Sequence, residues 1–287
     1  MSAFYMKSKT MLNSIPSKTI IAPKRGWVSI DFGELWRYKE LLYFLTKRDI
    51  KVRYKQTILG GLWAVIQPLS TMIVFVVFFG RMAKIQSDGI PYPIFVYAGL
   101  LPWTYFTGAL SASSNSLVEN VNLITKIYFP RIIAPASAAL AGLLDFAIAA
   151  LILGVMMVYY QYIPGPEMLL LPFLIGMVFV CAVGVGLWLS ALNVQYRDIR
   201  YVVPLLVQLW MFVSPVIYPI SMVPKKYHLL VSINPMVGTI EALRASLLGH
   251  QPINWLLLGI SAIIISFIFL SGIYYFRRME RVFADMA

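Results

Sequence analysis

One cysteine, two histidines and only 12 acidic residues stand in a chain of 287. Cys181 alone closes no disulfide and builds no thiolate metal site within one chain. His228 and His250 are apart in sequence, and the H-E-x-x-H spacing of a zinc hydrolase is absent, so no metal ligation is expected. No G-x-x-x-x-G-K-[ST] occurs, so this chain has no loop of the usual kind to cradle ATP phosphates. No internal repeat is visible. Among the acids, only Asp145 falls well inside a long apolar run. It reads either as a lone proton relay or as a hydrogen-bonded packing residue at a helix contact, since membrane charges are costly and are kept for a reason.

What the chain has instead is apolar mass. Hydrophobic residues make up 60% of it, against about 45–50% in a soluble domain. The mean hydropathy is +0.76. No soluble core hides so much apolar surface, so lipid must be the solvent for most of it. The net charge is +12. Its Lys and Arg crowd the N-terminal segment, from Lys7 to Lys55, and stop where the first long apolar run begins. That is the positive-inside pattern of a cytoplasmic N-terminus, so nucleic acid is not the expected partner. Residues 1–29 read as a flexible basic cytoplasmic tail without the apolar core of a signal peptide.

A helix needs about 20 apolar residues to cross a bilayer. About six such stretches are expected: Leu62–Met82, Ile94–Leu117, Ala136–Tyr160, Leu169–Leu192, Tyr201–Tyr218 and Ile253–Phe276. The fifth is the shortest and is broken by Pro204 and Pro215. The even count returns the C-terminus to the cytoplasm, where Arg277, Arg278 and Arg281 follow the last span. The loops carrying Lys126 and Arg131, and Arg197 and Arg200, fall on the same side. The outer loop Pro219–Pro252 carries Lys225, Lys226 and Arg244 and sits less well with that rule. Its apolar part, Ile233–Leu248, is too short to span and is expected to dip part-way into the membrane as short helices.

The segment 30–57 differs in kind. Leu35, Tyr38, Leu42, Leu45 and Val52 recur at helical spacing, with Arg37, Glu40, Lys47, Lys51 and Lys55 on another face. This is an amphipathic helix, or two, along the cytoplasmic membrane surface. Asp31 with Glu34, and Thr46 with Asp49, have the pattern of helix starts. The segment serves either as a plain lipid anchor or as a docking element for a cytoplasmic partner.

Aromatic residues sit in and at the edges of the spans. Trp63 and Trp103 suit an interfacial belt. Trp210 and Phe212 fall near mid-span, where they either pack or line a pathway. Aromatic faces meet sugar C–H groups without fixed hydrogen-bond geometry, which suits a sliding polymer. Ala182, Gly186 and Ser190, four apart, permit close helix packing.

Five stretches carry a resemblance. They are Arg53-Tyr54-Lys55-Gln56-Thr57-Ile58-Leu59-Gly60 running into Leu62-Trp63-Ala64-Val65-Ile66-Gln67-Pro68; Lys126-Ile127-Tyr128-Phe129-Pro130-Arg131; Asn193-Val194-Gln195-Tyr196-Arg197-Asp198-Ile199; Ser214-Pro215-Val216-Ile217-Tyr218; and Asn234-Pro235-Met236. In this order and topology the chain resembles the permease subunits of ABC-type polysaccharide and polyol-phosphate exporters, which move O-antigen, capsule and teichoic acid chains. The resemblance covers about Leu35 to Arg278. It implies two copies of this chain, bound to two copies of a separate ATPase subunit that holds the ATP and magnesium. It implies a lipid-linked glycan as substrate and the bacterial inner membrane as location.

By the same resemblance, the coupling surface toward the ATPase carries over onto residues 30–57 and onto Asn120, Leu123, Lys126, Tyr128 and Phe129. Asn120 to Phe129 can form a short helix ended by Pro130. The substrate pathway carries over onto Trp63, Gln67, Trp210, Phe212 and Tyr218. The outer gate helices carry over onto Pro219–Leu248, where Glu241 and Arg244 are spaced to pair on a helix as a weak surface brace. The expected fold is therefore all-α: a polytopic membrane protein with about six transmembrane helices, an interface helix at 30–57, and short outer gate helices within a transmembrane domain at 58–287. Rival readings are a permease of the same fold exporting a lipid or drug, a membrane transferase, and a secondary transporter. The last two need clustered ionisable groups that the sequence does not supply.

Overall fold

The computed structural model describes residues 32–55, 60–196, 198–249 and 251–280. All of them lie in the second of two units, Asp31–Ala287. The basic tail, Asp31 and the stretch from Gln56 to Leu59 lie outside the described residues.

Helix is the regular structure of the described residues. Two helices, α1 (Phe32–Arg37) and α2 (Lys39–Lys55), precede α3 (Trp63–Phe75), which continues as a π-helical turn over Val76–Met82. Then follow α4 (Tyr92–Glu119), α5 (Val121–Lys126), α6 (Ile133–Tyr159) and α7 (Leu171–Gln195). The chain ends with α8 (Ile199–Val213), α9 (His228–Ser232), α10 (Pro235–Leu248) and α11 (Trp255–Glu280). The amphipathic segment is thus two helices, broken at Tyr38.

Among the described residues, four helices are long and apolar enough to cross a membrane: Gly60–Met82, Ile133–Tyr159, Pro166–Gln195 and Trp255–Glu280. The other two expected spans depart from the simple rule for different reasons. Helix α4 has 28 residues, ample length, but carries Thr104, Thr107, Ser111, Ser113, Ser114, Asn115 and Ser116. It is nevertheless the centre of the bundle, packed between α6 and α7 and touched by α3, α8 and α10. Polar groups are tolerated there because neighbours, not lipid, surround them. Helix α8 has 15 residues, about 22 Å, short of the roughly 30 Å hydrocarbon core. It stops at Val213 rather than running to Tyr218, because Pro215 forces Ser214 into extended backbone at ψ 145°. The irregular stretch that follows is buried at Ser214, Val216 and Ile217, the condition under which non-helical backbone survives at membrane depth.

In lipid, burial of apolar surface does not drive helices together, so packing and interhelical hydrogen bonds decide the fold. Tyr97 donates to the Ala149 carbonyl at 3.1 Å, and Ser113 to the Pro135 carbonyl at 2.9 Å, both tying α4 to α6. Such bonds contribute about 0.6 kcal/mol each on average. Ala182, Gly186 and Ser190 are buried in α7, and a Cβ at Gly186 would stand 2.5 Å from Ser113 Cβ of α4. Close approach of α4 and α7 depends on that small residue.

Several local expectations change. Thr46 is no helix start; it lies inside α2, its hydroxyl donating back to the Leu42 carbonyl at 2.8 Å. Val52 is 69% exposed rather than on the packed face. Helix α5 ends at Lys126, not at Pro130, since Ile127 turns extended at φ −132° and ψ 132°. The outer segment is short 3-10 turns at Ile220–Met222 and Lys225–Tyr227, then α9 and α10. Helix α10, with 14 residues, reaches only about 21 Å. It is capped by the Asn234 side chain, which accepts from the Met236 N–H at 3.1 Å, and closes on left-handed Gly249 at φ +59°.

Candidate functional site

Three places in the bundle concentrate polar chemistry. The first joins α2 to the α4–α6 connection. Leu45, Phe129 and Ile133 form a buried cluster, with Tyr38, Leu41, Leu42, Leu123 and Ile124 packed against it. Arg48 Nη2 donates to Asn120 Oδ1 at 2.7 Å and to Asp49 Oδ1 at 2.8 Å. Arg131 donates to the Glu280 carbonyl at 2.9 Å, which brings the end of α11 to the same place. Of the residues singled out for coupling, Asn120, Leu123 and Phe129 therefore hold the connection to α2. Lys126 and Tyr128 face outward, Tyr128 at 68% exposure. The extended backbone before Pro130 is what turns Phe129 inward while Tyr128 stays out.

The second place is a cleft of about 610 Å³ among α2, α3, α4 and α6. Trp63 and Gln67 line it from α3, as does Arg53 from α2. Its α4 wall is a row that the sequence reading passed over: Thr104, Thr107, Ser111, Asn115 and Glu119. They recur at three- and four-residue spacing, one face of a helix. That spacing was the available signal, hidden because a hydropathy window averages it away. The hydroxyls of Thr104 and Thr107 give their protons to backbone carbonyls at 3.1 Å each, leaving oxygen lone pairs toward the cleft. Asp145 closes one side. Arg53 and the Tyr54 hydroxyl of α2 both bind its carboxylate. Asp145 is thus a partnered residue at a helix contact, the packing alternative of the two considered. Burial, with Asp145 next, pushes the Tyr54 hydroxyl up from its ordinary range.

The remaining pathway candidates lie elsewhere in the chain. Trp210 packs edge-on against Phe106 and Trp103 of α4, with ring centroids 5.0 and 6.3 Å away. Its indole N–H donates to Asn234 Oδ1 at 2.9 Å. Phe212 is 51% exposed on α8, and the Tyr218 hydroxyl donates to its carbonyl at 3.3 Å. Asn234 Nδ2 also donates to Ser214 Oγ at 2.9 Å. The Ser214-Pro215 and Asn234-Pro235 stretches, far apart in sequence, are one joint.

The third place is the Glu241–Arg244 pair of α10. Arg244 Nη1 donates to Glu241 Oε1 at 2.8 Å. This is no surface brace: Arg244 is 3% exposed. Its Nη2 donates to the Pro215 carbonyl at 2.9 Å, and its guanidinium carbon stands 3.8 Å from the Phe95 ring centroid. The positive charge that spoke against an outer location is therefore an internal, paired one. Among the described residues, no group of three or more His, Cys, Asp or Glu is placed to hold a metal.

The chain is similar in sequence to known membrane permease and transport proteins. The chain is 30% identical over 221 residues to "O-antigen export system permease protein RfbA" of Myxococcus xanthus, covering 76% of this chain and 84% of that one. It is 29% identical over 252 residues to the protein of the same name from Klebsiella pneumoniae, covering 86% and 95%. With "Polysialic acid transport protein KpsM" of Escherichia coli it shares 24% identity over 206 residues, covering 70% and 78%. The ABC-2 type transporter pattern matches residues 40–248, from the second helix to the end of α10, and with that match the chain belongs to the ABC-2 type transporter membrane family.

Proposed function

We propose that this chain is the channel-forming membrane subunit of an ATP-driven exporter that moves a lipid-linked polysaccharide, such as O-antigen or capsule, outward across the bacterial inner membrane. Two copies enclose the pathway, and two copies of a separate ATPase subunit hold ATP and magnesium. Both termini face the cytoplasm. The observation that carries the reading is the polar row of α4 facing Trp63 and Gln67 across the cleft. Threonine oxygens that accept, beside the hydroxyl of Ser111 and the amides of Asn115 and Gln67, set opposite an aromatic ring, suit a polyhydroxylated chain that must slide rather than stick. The relatives named above are exporters of such chains by name, which supports the same class.

Force enters at the α2–α5 end. Helix α2 is pinned to α6 through Asp145 and to the α4–α6 connection through Asn120 and Phe129. A push on the exposed Lys126–Tyr128 edge is thereby delivered to α4 and α6, the helices that wall the cleft. The test is co-purification of the tagged chain with its ATPase, together with surface display of the glycan in a strain lacking the chromosomal copy. Ser111→Leu should leave the chain in the membrane and the ATPase bound, yet reduce surface glycan at least several-fold. Undiminished glycan with Ser111→Leu, or a chain that purifies with no ATPase after gentle extraction, would overturn the reading.

A further inference from the structure

A second cavity, of about 360 Å³, opens at the other end of α4. Asp88 enters it from the α3–α4 connection, Glu241 and Arg244 from α10, and Gln251 and Asn254 from the lead into α11. The Asp88 carboxylate accepts from Ser221 Oγ at 2.7 Å. Arg244 spends Nη1 on Glu241 and Nη2 on the Pro215 and Val216 carbonyls. Its Nε is buried and has no hydrogen-bond partner among the described residues.

We propose that this cavity is a saccharide subsite that takes one pyranose unit of the emerging chain; the proposal rests on the export reading above. The lining has the chemistry a sugar ring asks for. Asp88 and Glu241 accept from ring hydroxyls. The amide groups of Gln251 and Asn254 donate to them. The apolar floor at Leu257 meets a C–H face. Volumes near 300 Å³ and above are those of small-molecule sites. A divalent cation suits the cavity less well, because Arg244 places a fixed positive charge beside Glu241. The subsite would hold the chain at the outer face between strokes, so that each advance is kept.

The test uses the full chain in lipid nanodiscs and saturation-transfer NMR. The probes are the monosaccharides released by acid hydrolysis of the producing organism's own surface polysaccharide. At least one should receive saturation from the protein. Gln251→Ala and Asn254→Asp should each cut that transfer several-fold; the latter keeps the oxygen that caps the Leu257 N–H and removes only the amide donor. Leu151→Ala, exposed on α6 and lining neither cavity, should leave it unchanged, and Ser111→Leu should remove only the part that arises in the other cleft. No transfer to any probe, transfer in both outer variants as strong as in the wild type, transfer lost only with Ser111→Leu, or transfer abolished by millimolar calcium with calcium binding at the same residues would each overturn the subsite. The export reading is scored separately by ATPase co-purification and surface glycan. A silent NMR experiment beside intact export sinks the subsite alone, and a sugar signal without export leaves a saccharide site on a protein of another task.

Discussion

The Arg244 guanidinium lies over the Phe95 ring with 3.8 Å between its carbon and the ring centroid, while the same group reaches Glu241 and two backbone carbonyls. One side chain thus ties α10 to α4 and to the broken segment after α8. Removing a partner from a buried, hydrogen-bonded pair costs about 3–5 kcal/mol. Arg244→Met should therefore lower the thermal unfolding midpoint of the purified protein markedly. The double variant Arg244→Met with Glu241→Gln should recover part of the loss, because no charge is left stranded. Arg244→Lys should not rescue, since a lysine cannot serve a carboxylate and two carbonyls from one plane.

Gly99 makes room for that arginine. A Cβ there would collide with Arg244 Nη2 and stand 2.9 Å from the Val216 carbonyl oxygen. Gly99→Ala should destabilise by about 1–3 kcal/mol through overpacking. Gly108, in the same helix, meets nothing within 4 Å. Gly108→Ala should be neutral or stabilising by up to about 1 kcal/mol. Unfolding midpoints of the two variants side by side decide it.

Phe129 and Tyr128 are neighbours with opposite surroundings, at 4% and 68% exposure. Phe129→Ala empties a packed site and should cost about 3–5 kcal/mol of stability. Tyr128→Ala should move the unfolding midpoint little, within about 0.5 kcal/mol, yet weaken retention of the ATPase on the tagged chain. Retention unchanged in a stable Tyr128→Ala protein would remove this edge from the docking surface.

Asp145 holds both Arg53 and Tyr54 of α2. The ion pair is partly exposed, so its loss should cost no more than about 1 kcal/mol. Asp145→Leu should free the end of α2 and speed protease cleavage next to Lys55, while Asp145→Asn, which keeps an acceptor for Tyr54, should have a smaller effect. Identical digestion of wild type and Asp145→Leu would show that the Leu45 cluster and the Arg48–Asn120 bond hold α2 without Asp145.

Much of this was legible in the chain itself. Apolar runs of membrane length and the crowding of Lys and Arg before Leu62 required an all-helical membrane protein with an amphipathic segment on one face. These are local properties of composition and spacing, and lipid leaves the backbone few other solutions. The pairing of Glu241 with Arg244 also followed from their spacing.

Only the tertiary structure decided how deep each group lies and what it meets. Arg244 looked like a loop charge because spacing shows a neighbour on the same helix but not the Phe95 ring and the Pro215 carbonyl brought from α4 and α8. The sequence left Trp210 either to pack or to line a pathway, and it could not show that Asn234, from another segment, accepts its indole N–H. The polar row of α4 was spread over four turns among apolar residues and gained meaning only when α3, α2 and α6 closed a cleft around it. Hydropathy sums residues along the chain, whereas burial and partnership depend on contacts between residues far apart in it, and those are set by packing.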